Sequence, residues 1–208
     1  MLDHLLTPES RILDFGAGDG DLVLAMCERG LSAAAYEPSV ERISTLRERL
    51  SGRAGFLGVW GPEDEGKFDV VTMTEVIEHV LDESMDLCLQ RVASLVRPDG
   101  LLVVTTPNTE DLELNMVFCP ITGKYFHRWQ HVRSFTLRAL SELLAHYGFE
   151  EVVMHRLPVL ESLFVPYDRL WGEDVSREDL PAYLLQIRRN EVARVEPQSS
   201  IIYVGRRR

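Results

Sequence analysis

Cysteine is scarce in this chain, and Cys27, Cys88 and Cys119 are odd in number and far apart. That spacing is neither a disulfide framework nor a zinc pattern, so a reducing compartment is expected. Basic charge is also short, with 22 Lys and Arg against 33 Asp and Glu and a net charge of -11. Gripping nucleic acid or anionic lipid needs a concentrated basic surface, so neither partner is expected. The one dense basic cluster, Arg206–Arg207–Arg208, reads as a solvated tail. No apolar run approaches the length of a membrane span. The first ten residues lack the basic flank and apolar core of a signal peptide, and a cytoplasmic protein is the expectation. Repeats and low-complexity segments are missing too. What remains is 208 residues, 45% of them hydrophobic, enough for a single domain with a fully buried sheet.

The hydrophobic pattern alternates between short continuous runs and helical spacing. Arg11 to Phe15 is an apolar run, glycines follow, and Leu22 to Arg29 has a helical period. Ala33 to Glu37 reads as a second strand, and Val40 to Leu50 as an amphipathic helix with Ile43, Leu46 and Leu50 on one face. Gly55–Val59, Phe68–Met73 and Gly100–Thr106 read as three more strands, with a helix near Met85–Val96. This rhythm predicts a parallel sheet covered on both faces, because its strands are continuously apolar rather than alternating. Ligands of such sheets lie beyond the carboxyl ends of the strands. From Asn108 to Arg133 there is no clear period. A helix over Thr136–Tyr147, capped by Thr136 or Ser134 and ended by Gly148, comes next. Strands at Glu151–Met154 and Ser200–Gly205 complete the reading.

The chemistry gathers where the first strand ends. Gly16, Gly18 and Gly20 remove side chains at a strand-to-helix turn, so backbone can approach a ligand closely. A dinucleotide site prefers G-x-G-x-x-G, and here the third glycine is one residue early. Asp14, just before the loop, suits a cationic group better than a pyrophosphate. Glu37 ends the second strand, where an acid about 20 residues beyond the loop can accept both hydroxyls of a ribose. Together they point to a nucleoside ligand.

The run Ile12–Leu13–Asp14–Phe15–Gly16–Ala17–Gly18–Asp19–Gly20 resembles motif I of the class I S-adenosylmethionine-dependent methyltransferases. The resemblance continues through Tyr36–Glu37–Pro38–Ser39, Phe68 to Val80, Leu95 to Gly100, Pro107–Asn108 and His131 to Thr136. It is greatest to the ubiquinone-biosynthesis O-methyltransferase-like branch. It implies an α/β, Rossmann-like three-layer sandwich, with a seven-stranded, mostly parallel sheet and an antiparallel last strand. It also implies S-adenosyl-L-methionine as cofactor and a small-molecule methyl acceptor. By position, Asp14 would meet the methionine amino end, and Gly16, Ala17 and Gly18 would lie against the cofactor. Glu37, with Pro38 beside it, would hold the ribose hydroxyls. Val59 and Trp60 would flank the adenine, and Thr74 and Glu75 would line the methionine moiety near the transferable methyl. The family often has an acid just after the third strand; here Glu63 and Asp64 are the nearest candidates.

Methyl transfer relies mainly on alignment, and a hydroxyl acceptor adds the need for a base. His131, His127 and His79 are the candidates. Glu75, Glu78, His79 and the distant His131 also resemble the metal site of small-RNA 3′-terminal 2′-O-methyltransferases. The same E-V-I-E-H-V run occurs in metal-free relatives, and the acidic charge speaks against RNA, so no metal is expected. A non-catalytic module that only binds the cofactor is a third reading. One domain over 1–208 is expected, with insertions at about 109–133 and 157–198 capping the active site. The first carries Leu112, Leu114, Met116, Val117, Phe118, Ile121, Tyr125, Phe126 and Trp129, in keeping with an apolar lid, a packed loop or a dimer contact. The second carries Phe164, Tyr167, Trp171, Tyr183 and Leu184. The first strand has few residues before it, whereas family members roof the cofactor with N-terminal helices. An open site, a homodimer partner or an upstream domain would answer that difference.

Overall fold

A computed structural model describes residues 6–7, 9–157 and 199–208. Its elements run β1 (Arg11–Phe15), α1 (Asp21–Glu28), β2 (Ser32–Tyr36), α2 (Val40–Leu50), β3 (Phe56–Trp60) and β4 (Phe68–Thr74). There follow α3 (Asp82–Leu95), β5 (Val96–Pro107), β6 (Met116–Cys119), β7 (Lys124–His127), α4 (Leu137–His146), β8 (Phe149–Leu157) and β9 (Ser200–Arg207). The main sheet has the order β3-β2-β1-β4-β5-β9-β8. Its strands run parallel except β9, which is antiparallel to both β5 and β8. This is the Rossmann-like architecture the sequence implied.

The continuous apolar runs are explained by two cores, one on each face. Ile12 and Val70 pack with Val23, Leu46 and Leu50 on one side. Leu13 and Val71 pack with Leu89, Val92 and Leu140 on the other. All of these side chains are buried, and each aliphatic one contributes about 1.5–3 kcal/mol by leaving water. Helix ends follow local chemistry. The Ser39 side chain accepts from the Arg42 amide at the start of α2, where Glu41 also sits, and Arg47 and Arg49 occupy its last turn. The Thr136 hydroxyl accepts from the Ala139 amide at 3.1 Å, capping α4 as expected.

Strand β1 lies between β2 and β4, so chain connections diverge there and leave a crevice at the strands' carboxyl ends. Asp14 is level with Ala35 on one side and Thr72 on the other. Two details differ from the sequence reading. The stretch without period folds in part into a hairpin, β6 paired antiparallel with β7 from Met116↔His127 to Cys119↔Lys124. His79 ends a 3-10 turn over Ile77–His79 that the helix expected near Met85–Val96 did not include. Extended Leu81, at ψ 153, separates that turn from α3. The expected insertion at 157–198 falls almost wholly outside the described residues. No described helix is long and apolar enough to cross a membrane.

Candidate cofactor and active site

The glycine loop is tied to the end of β2 through its own amides. Gly16 N and Ala17 N both donate to the Tyr36 carbonyl, at 2.8 and 2.9 Å. Gly18 N donates to Glu37 Oε2 at 2.8 Å, and Ser39 N donates to Glu37 Oε1 at 2.8 Å. Gly20 N donates to the Ala17 carbonyl. These amides point into the protein, so the loop is no phosphate cradle, in keeping with its early third glycine. Glu37 is 7% exposed, yet each of its oxygens keeps a further lone pair for a ligand. Gly16 sits at φ 87, and a Cβ there would stand 2.6 Å from Val76 Cγ2. The turn after β4 therefore packs directly on this loop. Pro38, beside Glu37, is exposed.

Asp14 is 4% exposed and accepts from the Thr72 hydroxyl at 2.7 Å. Burial pushes its carboxyl up from 3.8 to about 6; the Thr72 hydrogen bond opposes the shift and the charge of Glu37 adds to it. A raised folded-state pKa means stability is full below the unfolded value and is lost as pH rises through about 6. The loss amounts to about 3 kcal/mol for a shift of this size. Asp14→Asn removes that dependence. Melting of wild type and variant from pH 4 to 8 should show the wild type gaining relative stability on acidification. A difference independent of pH would refute this account.

Beyond β4 the backbone takes an unusual course. Glu75 has φ 52, a left-handed conformation held by Glu75 N bonding to the Thr105 carbonyl and hydroxyl at 3.1 and 3.2 Å. Its Oε1 accepts from Thr105 Oγ1 at 2.7 Å. Glu78 is 0% exposed; Oε2 accepts from Thr106 Oγ1 at 3.0 Å, while Oε1 is buried with no hydrogen-bond partner among the described residues. Burial, with the charge of Glu75 adding to it, raises the Glu78 carboxyl well above the carboxylate range. Burial likewise raises Glu75. Exposed Thr74 precedes this turn.

The stretch 130–133 latches onto the same turn. Val132 N donates to the Glu78 carbonyl, and Arg133 donates to the Ile77 carbonyl at 3.1 Å while pairing with Asp82. The Gln130 carbonyl lies 3.3 Å from His79 Nδ1. The three candidate histidines are thus brought together: ring centroids of His79 and His131 are 4.9 Å apart, and those of His127 and His131 4.7 Å. Burial lowers the pKa of His79, and the neighbouring His131 lowers it further. Glu78, His79 and His131 can each offer a donor atom within a 4.8 Å cluster, and Glu110, His127 and His131 form another.

Glu75, His79, Asn108, Glu110, Trp129 and His131 help line a cavity of about 630 Å³. Glu75 joins the two halves of the site, since its turn packs Val76 on Gly16 and its side chain walls the cavity. Trp60, expected beside an adenine, meets Phe68 edge-on at 5.1 Å, with Arg11 over its ring. Val59 precedes Trp60 on β3, and Tyr36, level with Trp60, ends β2 and stacks on Phe15 at 4.3 Å. Glu110 and Asn115 were not singled out from the sequence. The nearest sequence signal was Pro107–Asn108, where Pro107 ends β5 and Asn108 bridges to Phe135.

A family model described as "Methyltransferase domain" matches residues 2–154. A ubiquinone biosynthesis O-methyltransferase of Chelativorans sp. (strain BNC1) is 34% identical over 125 residues, covering 57% of this chain and 48% of that protein. The human mitochondrial ubiquinone biosynthesis O-methyltransferase is 32% identical over 136 residues, covering 58% of this chain and 36% of its own. The chain thus spans half or less of these relatives' length. Among solved structures, the 1,6-didemethyltoxoflavin-N1-methyltransferase of Burkholderia thailandensis, with 1,6-didemethyltoxoflavin and S-adenosylhomocysteine, aligns at TM-score 0.62 and 20% identity. It covers 99% of this chain and 74% of its own. A SAM-dependent methyltransferase of Methanosarcina mazei aligns at TM-score 0.63 and 15% identity, covering 99% and 96%. At such identities the structures speak to the fold, whereas the family model spans most of the chain and every motif described above. The chain belongs to the methyltransferase domain family, the S-adenosylmethionine-dependent methyltransferases of class I.

Proposed function

We propose that this protein transfers a methyl group from S-adenosylmethionine to a hydroxyl of a small, partly apolar acceptor. The observation that carries the reading is Glu37, pinned by two amides at the end of β2 with a lone pair on each oxygen still to offer. Vicinal ribose hydroxyls match that pair. Buried Asp14 suits the amino group of the methionine end, and Gly16 with Ala17 and Gly18 admits close approach. The loop amides turned inward favour a ligand without phosphates. Val59 and Trp60 would border the adenine, with Pro38 near the ribose, and Thr74 and Glu75 the methionine chain. The bound cofactor supplies a methyl on a sulfonium, which leaves as a neutral thioether.

The cavity beside Glu75 is the acceptor's place in this reading, and its residues orient the acceptor and take its proton. His131 is the base, with His79 across from it and His127 behind it. Relatives named as O-methyltransferases support a hydroxyl. The stretch 109–133 acts as the cap of a single domain, as four of its residues, Glu110, Asn115, Trp129 and His131, line the cavity.

Calorimetry with S-adenosylhomocysteine should give saturable one-to-one binding, and a flat isotherm would end the proposal. His131→Ala should lower methyl transfer to a catechol such as 3,4-dihydroxybenzoate by about 100-fold or more, the usual worth of a positioned base. Affinity for S-adenosylhomocysteine should not change. Wild-type turnover in that variant would remove His131 from the role. A second reading, metal-assisted methylation of an RNA end, rests on the Glu78, His79 and His131 cluster. Metal analysis of the purified protein separates the two.

A further inference from the structure

We propose that Glu110 is a positioning residue that fixes the His131 ring, so that Nε2 faces the cavity as a bare proton acceptor. The inference rests on the function proposed above, but its geometry stands apart from the cofactor site. The argument begins behind the site, with His127. Its Nδ1 accepts two backbone amides, Trp129 N at 3.3 Å and His131 N at 3.1 Å. A nitrogen that accepts carries no proton, so the neutral ring holds its proton on Nε2. His127 Nε2 lies 3.4 Å from Glu110 Oε1 and makes no hydrogen bond among the described residues. The side chain of His127 is 4% exposed.

Glu110 is held from a second side, because Asn115 Nδ2 donates to the same Oε1 at 3.0 Å. Its other oxygen, Oε2, lies 2.5 Å from His131 Nδ1. An ionised carboxylate can only accept, so against Glu110 the Nδ1 of His131 bears the proton and donates it. The proton of neutral His131 is thereby assigned, and Nε2 keeps its lone pair. Glu110, Asn115 and His131 all line the cavity. A cation among Glu110, His127 and His131 would need His127 Nε2 stripped of its proton, which the two amides on Nδ1 oppose.

Other ionisable groups facing His131 are Glu75, after β4, and Glu78 and His79, on the 3-10 turn. In the reaction, the acceptor hydroxyl's proton passes to His131 Nε2. The oxygen's electron pair bonds the methyl carbon, and the carbon–sulfur pair stays on sulfur. The imidazolium left behind is paired with Glu110, the arrangement that makes a carboxylate behind an imidazole effective. The contribution of Glu110 is orientation and charge, and it does not touch the acceptor's reacting atoms.

The test reads the rings directly, in the full chain labelled with 15N at its six histidines. Long-range proton–nitrogen spectra distinguish the two neutral tautomers, and His→Asn variants assign the signals. His131 should show the proton on Nδ1 and His127 the proton on Nε2. In Glu110→Gln, His131 should lose its single-tautomer signature while S-adenosylhomocysteine still binds with unchanged affinity. His131 protonated on Nε2 in the wild type would overturn the proposal, and this reading does not need Glu110→Gln to fold. Unchanged His131 signals in Glu110→Gln would overturn it as well. So would turnover lost to a chelator and restored by a divalent cation, which would make Nε2 a ligand. Absent cofactor binding with the expected tautomers would instead reject the methyl-transfer reading and leave the ring assignment standing.

Discussion

Glu37→Ala should weaken S-adenosylhomocysteine binding by at least about 100-fold, because the loss falls on both the ligand and the loop. The carboxylate accepts from Gly18 N and Ser39 N, one amide on each oxygen. Truncation leaves two amides without their partner in a buried place, at about 2–4 kcal/mol of folding stability. Glu37→Gln is not a mild control, since its NH2 would face one of the two N–H groups. Glu37→Asp keeps the charge but is one methylene short of spanning both. All three variants should lose affinity, in the order Ala, Gln, Asp from most to least. Calorimetry with circular dichroism melts separates lost binding from lost folding. Unchanged affinity in folded Glu37→Ala would remove the ribose assignment and with it the main support for the cofactor's placement.

Gly16→Ala is expected to be the most damaging one-methyl change in the loop. At φ 87 any side chain there incurs about 1–2 kcal/mol. Its Cβ would also stand 2.6 Å from Val76 Cγ2, and overpacking of that kind adds about 1–3 kcal/mol. A protein of this length should lose roughly 5–15 °C in Tm. Val76→Ala in the same chain should recover the steric part and leave the backbone part. A Gly16→Ala protein that melts like the wild type would mean that the loop does not pack on the turn after β4. The double variant is informative because the two positions touch, so their effects should not add.

Sequence periodicity revealed the main sheet because strands such as Phe68–Thr74 are buried on both faces and look alike in any such fold. It also placed Asp14, Gly16 and Glu37, whose roles follow from a local strand–loop–helix geometry. The hairpin of β6 and β7 was not legible. Met116, Phe118, Tyr125 and Phe126 are all exposed there, so neither face of the pair leaves a buried alternation to read. Glu110 was hidden for another reason. Its partners His127 and His131 are local to the insertion, but their relation depends on a turn closed through His127 Nδ1. Nothing in the spacing of those residues announces that an imidazole will cap its own following turn. Likewise Glu78 stood out in the sequence as a carboxylate of a metal-site-like run, but its complete burial, on a 3-10 turn whose carbonyl receives Val132, did not.

The position of β9 between β5 and β8 bears on how the chain reaches this structure. Residues 101–105 of β5, already paired with β4, find their second neighbour in β9, and β8 finds there its one sheet partner among the described residues; β9 comes after both in the chain. Until it arrives, β5 is an open edge of buried-type residues, Leu101 to Val104, and β8 has no place in the sheet. Such an edge is a template for pairing with another chain. During synthesis or refolding, the interval before β9 inserts is therefore when this protein is most exposed to aggregation, and closure of the sheet is a late, non-local event.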